Sequence, residues 1–92
     1  MARRAGARLL RGGVDVDGEP RLVERLGAAL QVALAPRHRL YVVRLHHLGR
    51  RGEVLVSVDG SAGHVPMILG PDELDPALAA AIVGRVVERL SL

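Results

Sequence analysis

Three alternating segments separated by two loops of equal length constrain this chain more than any other feature. Val54, Val56 and Val58 alternate with Glu53, Leu55, Ser57 and Asp59, which is the period of a half-buried strand. Tyr41, Val43, Leu45 and His47 alternate ahead of it, and Val65, Met67 and Leu69 resume behind it. With Gly49-Arg50-Arg51-Gly52 as a hairpin loop, Leu48 pairs with Glu53, Leu45 with Val56 and Val43 with Val58. With Gly60-Ser61-Ala62-Gly63 as the second, Asp59 pairs with His64 and Val56 with Met67. All ten apolar-row residues from Tyr41 to Leu69 then share one face. A slip of one residue would invert every side chain, so the agreement of two independent loops predicts a three-stranded antiparallel meander. Pro66 places its third strand at a sheet edge.

Helical spacing brackets the meander. Leu22, Val23, Leu26, Ala29, Leu30, Ala33 and Leu34 form one stripe, with Arg21, Glu24, Arg25 and Gln31 opposite. Pro20 suits a first turn, Asp17 or Gly18 lies where a cap would be, and Pro36 ends the helix. A second helix starts at Asp72, or at Asp75 with Pro76 in the first turn. Its expected apolar face is Leu78, Ile82, Val83, Val86, Val87 and Leu90. The predicted class is α+β in the order α-β-β-β-α, with both helices mainly on the Tyr41–Val56–Met67 face. Val14-Asp15-Val16-Asp17-Gly18 reads either as a short strand or as the approach to the first helix.

Ninety-two residues without cysteine make one small domain with neither disulfides nor thiolate metal sites. No run approaches the roughly 18 apolar residues of a membrane span, and the start of the chain lacks a signal-peptide core. The expectation is therefore a cytoplasmic protein without membrane partners. Lys, Asn, Thr, Phe and Trp are missing while Arg, Ala, Gly, Val and Leu dominate, an alphabet that either GC-rich codon usage or selection against lysine produces.

Charge is unevenly placed. Residues 1–12 hold Arg3, Arg4, Arg8 and Arg11 and no acid, a charge of +4, whereas the rest of the chain sums to −1. Residues 1–13 are accordingly expected as a basic flexible arm ending at Gly12-Gly13, and residues 14–92 as a single α+β domain. Residues 37–51 contain five arginines, three histidines and no acid.

The sheet face opposite the core row would carry Leu40, Val42, Arg44, His46, Leu48, Leu55, Pro66 and Ile68. An antiparallel sheet normally keeps its solvent face polar, so an apolar one points to a partner. Leu40, Val42, His46, Leu48, Leu55 and Ile68 are the candidate protein interface, most simply of a homodimer. The competing expectation is self-coverage by a helix or by Leu9-Leu10.

No residue set supports catalysis, a cofactor or a metal. His46 and His47 are neighbours on a strand and point to opposite faces; His47 is expected as a hydrogen-bonded core residue. His64 and Asp59 are expected to form a hairpin pair. Neither Ser57 nor Ser61 has a base placed by a motif. A calcium-loop start at Asp15 fails because Pro20 and Leu26 occupy positions that need Gly and Glu. The GxxG at Gly49-Arg50-Arg51-Gly52 is followed by a strand, not by the helix of RNA-binding KH domains. The α-β-β-β-α order is shared with double-stranded-RNA-binding domains, but Asp72, Glu73 and Asp75 stand where that fold needs basic residues.

Gly52-Glu53-Val54-Leu55-Val56-Ser57-Val58-Asp59-Gly60, residues 65–70, and Pro71-Asp72-Glu73-Leu74 leading into an Ala-rich helix resemble the YbaB/EbfC family of small bacterial nucleoid-associated proteins. The resemblance covers about 40 residues, from position 52 onward, and is one of pattern. The Pro-bounded first helix and the apolar strand at 40–48 depart from it. It implies a homodimer that binds double-stranded DNA with little sequence preference. Apart from the resemblance, the arginine clusters themselves read as a nucleic-acid-binding dimer in which Arg3, Arg4, Arg8 and Arg11, supported by Arg37, Arg39, Arg50 and Arg51, contact phosphates. With one tyrosine and no Phe or Trp, stacking on single strands has no platform. The alternative is a structural or adaptor subunit that joins another protein through the apolar outer face.

Overall fold

A computed structural model describes residues 7–92. Its elements are β1 (Ala7–Arg11), β2 (Val14–Gly18), α1 (Pro20–Leu34), β3 (Tyr41–Leu48), β4 (Glu53–Gly60), β5 (Gly63–Leu69) and α2 (Pro76–Arg89). Short 3₁₀ turns at Ala35–Arg37 and Pro71–Glu73 follow α1 and precede α2. The sheet is five-stranded in the order β1-β2-β3-β4-β5. The α+β class holds, but the three-stranded meander is only its β3–β4–β5 half, paired antiparallel as Val43↔Val58, Leu45↔Val56, Val56↔Met67 and Asp59↔His64.

The two strands that the meander lacked come from the start of the chain. Ala7–Arg11, expected within the flexible arm, pairs antiparallel with β2, and β2 pairs parallel with β3 across α1. Gly12-Gly13, expected as the end of the arm, is instead a two-residue hairpin turn. Both glycines have φ in the left-handed region, +59° and +82°, which the favoured two-residue hairpin turns require. Val14 and Val16 are fully buried, with Asp15 and Asp17 on the opposite side. Arg3 and Arg4 lie outside the described residues.

One core joins the helix layer to one face of the sheet. Val14, Val16, Tyr41, Val43, Leu45, Val54, Val56, Val58 and Leu69 meet Leu22, Val23, Leu26, Leu30 and Leu34 of α1 and Ala79, Val83 and Val87 of α2. Each such Val or Leu side chain is stabilised by about 1.5–3 kcal/mol on burial. α2 is capped by Asp75, whose side chain accepts from the Leu78 N–H at 3.2 Å. α1 has no side-chain cap: its cap residue is Glu19, not Asp17 or Gly18, and that carboxylate is engaged elsewhere.

Two helix faces differ from expectation. Gln31, expected on the polar side of α1, is 3 % exposed. Its Nε2 donates to the carbonyls of Leu9 at 2.9 Å and Val14 at 3.1 Å, tying the β1–β2 hairpin to the helix. α2 is rotated so that Ala79 and Ala80 are buried, while Leu78 and Leu90 remain in solvent. The small residues permit close approach of the helices: a Cβ built on Gly84 would lie 3.9 Å from Ala33 Cβ. Tyr41 is buried under the end of the chain, its hydroxyl donating to the Leu92 carbonyl at 2.6 Å and accepting from Arg37 Nε at 2.9 Å.

Candidate functional site

Both helices cover the same side of the sheet, so alternation along the strands sets the other side in solvent. The register arranges that open face in rows. Leu10, Asp15, Val42, Asp59 and His64 form one; Arg8, Asp17, Arg44, Ser57 and Pro66 the next; His46, Leu55 and Ile68 a third; Leu48 and Glu53 a fourth. The face therefore has two regions of different chemistry.

The β1–β2–β3 half is ionic. Arg8 Nη2 lies 2.6 Å from Asp15 Oδ2 and its Nε donates to Asp15 Oδ1 at 2.9 Å. This paired contact holds the Arg8 guanidinium above its ordinary pKa, chiefly through the side-chain hydrogen bond and then through the charge of Asp15. Arg44 stands 3.7 Å from Asp17. Exposed pairs of this kind contribute about 0–1 kcal/mol each; their larger effect is to make this half unsuited to a dry contact.

The end of β3–β4–β5 nearer the β3–β4 turn is apolar, bounded by Glu53 beside Leu48 and, beyond Ser57 and Pro66, by the Asp59–His64 pair. His46, Leu55 and Ile68 are cross-strand neighbours, flanked by Leu48 and Pro66, and Ile68 is 58 % exposed. Four of the expected interface residues, His46, Leu48, Leu55 and Ile68, thus form one patch. Val42 lies among carboxylates, between Asp15 and Asp59. Leu40, 76 % exposed, precedes β3 and sits by the β1–β2 turn, where a Cβ on Gly13 would meet it at 3.2 Å.

The expected phosphate-contacting arginines are not brought together. Arg50 and Arg51 lie in the β3–β4 turn at one end of the sheet, and Arg11, Arg37 and Arg39 at the other. Eight residues of β3 separate the two groups, about 25 Å at ~3.3 Å per residue. Arg8 is held by Asp15, Arg37 by the Tyr41 hydroxyl, and Arg39 Nη1 donates to the Ser91 carbonyl at 3.1 Å.

The histidines occupy separate places. His64 Nδ1 is 2.6 Å from Asp59 Oδ1, the expected hairpin pair. His47, expected in the core, is exposed at the end of β3, because the buried row stops at Leu45. Its Nδ1 lies 3.0 Å from Glu19 Oε1, and its backbone N–H donates to the second oxygen of that carboxylate. These bonds, the side-chain one first, hold the Glu19 carboxyl below its ordinary value. Among the described residues no group of three or more His, Asp or Glu is gathered as for a metal ion. None of the described helices is long and apolar enough to cross a membrane.

Residues 1–13 read as an arm and residues 14–18 as undecided, so the sequence does not show that Arg8, Asp15 and Asp17 join Arg44 on this face. Nor does it single out Val32, 74 % exposed on α1; a β-branched apolar residue outside the helix stripe is the available signal. Compared with protein families, curated proteins and solved structures, the chain matches none.

Proposed function

We propose that this chain is a non-enzymatic docking protein that self-associates through the open face of its sheet. The observation that carries the reading is the patch of Leu48, Leu55 and Ile68 with His46, on a face that no described element covers. The molecule measures 34 × 34 × 20 Å, so the uncovered side is one of the two broad ones. A standard interface needs about 800 Å² per partner, which that side can supply. A two-fold axis near Leu55 sets the patch against itself and keeps the Arg8, Asp15, Asp17 and Arg44 groups at the rim, where charge is tolerated. Another protein presenting an apolar sheet or helix would use the same surface as an adaptor contact.

Sedimentation across micromolar concentrations tests this. The chain is expected to dimerise, and Ile68→Asp to yield a monomer with an unchanged far-UV spectrum, because Ile68 contributes little to the core. A wild-type chain that stays monomeric throughout excludes self-association through this face.

Duplex-DNA binding is the second reading. Exposed Arg50 and Arg51, in a turn with no ion pair among the described residues, support it. The YbaB/EbfC resemblance adds only its sequence pattern.

A further inference from the structure

His46 is the one side chain of the open-face patch that can change its charge. By register it stands opposite Leu55, with Ile68 on the far side of Leu55. The alternation of β3 buries Leu45 and leaves His46 exposed. His47 and His64 each hold a carboxylate, Glu19 and Asp59. Among the described residues His46 has no such partner.

Few charged groups surround it. On β3 itself Arg44 is two residues away on the same face. From β4, Glu53 is the diagonal neighbour, beside Leu48, and Ser57 carries no charge. β5 presents only Pro66 and Ile68. On the β2 side Asp17 stands opposite Arg44, and Glu19 beyond it is held by His47.

Self-association through this face, the reading on which the inference rests, takes His46 out of water. With a two-fold axis near Leu55 the imidazole lies about 5 Å from it, one strand spacing. An axis along the strands sets His46 against Ile68 of the second copy; an axis across them sets it against the His46 of that copy. Neither arrangement brings a carboxylate opposite. A neutral imidazole can be buried there, whereas an imidazolium loses its water without gaining a counter-ion.

We propose that His46 makes the self-association proton-controlled: the neutral imidazole permits the dimer and the imidazolium opens it. The sign follows from linkage. A group that is harder to protonate in the dimer releases its proton on association. The dimer is therefore favoured at high pH and lost as pH falls through the range where histidines change charge, about 8 to 5. Two copies contribute two such protons.

Sedimentation of the full chain at about pH 7.5 and about pH 5.5, at constant ionic strength, tests this. The dimer Kd is expected to rise at least about tenfold at the lower pH, with an unchanged far-UV spectrum. His46→Leu should dimerise equally at both pH values, and His46→Gln, polar but uncharged, should also lose the dependence. His47→Gln and His64→Gln, outside the patch, should retain it. A wild-type dimer with one Kd at both pH values overturns the inference and leaves self-association standing. So does a dependence that survives in both His46 variants. A chain that is monomeric at both pH values overturns the inference together with the self-association on which it rests.

Discussion

At the scale of single residues, several polar side chains have been given work that their position in the sequence does not announce. Glu19 is the cap residue of α1 by place, yet its carboxylate bridges to His47 at the end of β3. Its pKa is lowered in the folded chain, first by the His47 side-chain hydrogen bond and then by the His47 backbone N–H. A carboxyl depressed on folding contributes stability above its unfolded value of 4.5 and loses it as pH falls through the lower folded value. Glu19→Gln should therefore be less stable than the parent at pH 7, and the gap should narrow as pH falls below 4.5; thermal melts across a descending pH series measure it. A gap that does not depend on pH would mean that the side chain acts through packing. Gln31 is the second such residue. Spacing on a helical wheel puts it in solvent, but two carbonyls of a hairpin more than a dozen residues earlier draw it inward. A buried amide is acceptable where its donors are satisfied.

At the scale of elements, the close passage of β2 by β3 is the tightest constraint. Gly18 ends β2 with φ +130°, and a Cβ there would fall 2.2 Å from the Leu45 carbonyl oxygen and 2.8 Å from its nitrogen. The next residue joins the same strand, as Glu19 N–H donates to that carbonyl at 3.0 Å. Gly18→Ala has to move backbone, not a side-chain tip, so a loss of about 3 kcal/mol is expected, read from urea unfolding midpoints. A loss below about 1 kcal/mol would show that the β2–β3 junction can relax. The elements were legible to different degrees. β3, β4 and β5 could be placed and paired because each has seven or eight residues and tight turns fix their register. β1 and β2 have five residues each, too few for a strong period, and β1 was masked by the arginines that made it look like an arm. The α2 face was misjudged because hydrophobicity ranks Leu above Ala, while close helix packing selects the smaller residue.

At the scale of the whole molecule, the fold distributes charge that the sequence concentrates. Arg8 and Arg11 belong to a strand of the sheet, so deleting the first thirteen residues would remove an edge and unravel β1–β2 as well as four charges. A cleaner test of phosphate binding is Arg50→Ser with Arg51→Ser, confined to an exposed turn. If duplex DNA binds there, the double substitution should reduce the salt slope by about 2, near 0.9 per lost phosphate contact. An unchanged slope removes these two arginines from any such site. The sequence alone determined the α+β class, the β3–β4–β5 register and the membership of most of the core. Those depend on local periodicity and on turns whose length leaves one pairing. Tertiary structure alone decided that β2 runs parallel to β3, that β1 forms the far edge, and that the open face divides into an ionic and an apolar region. The parallel pairing closes across α1, and loops of that length place no unique constraint on register. Only the packing of α1 over Val14, Val16, Val43 and Leu45 selects it.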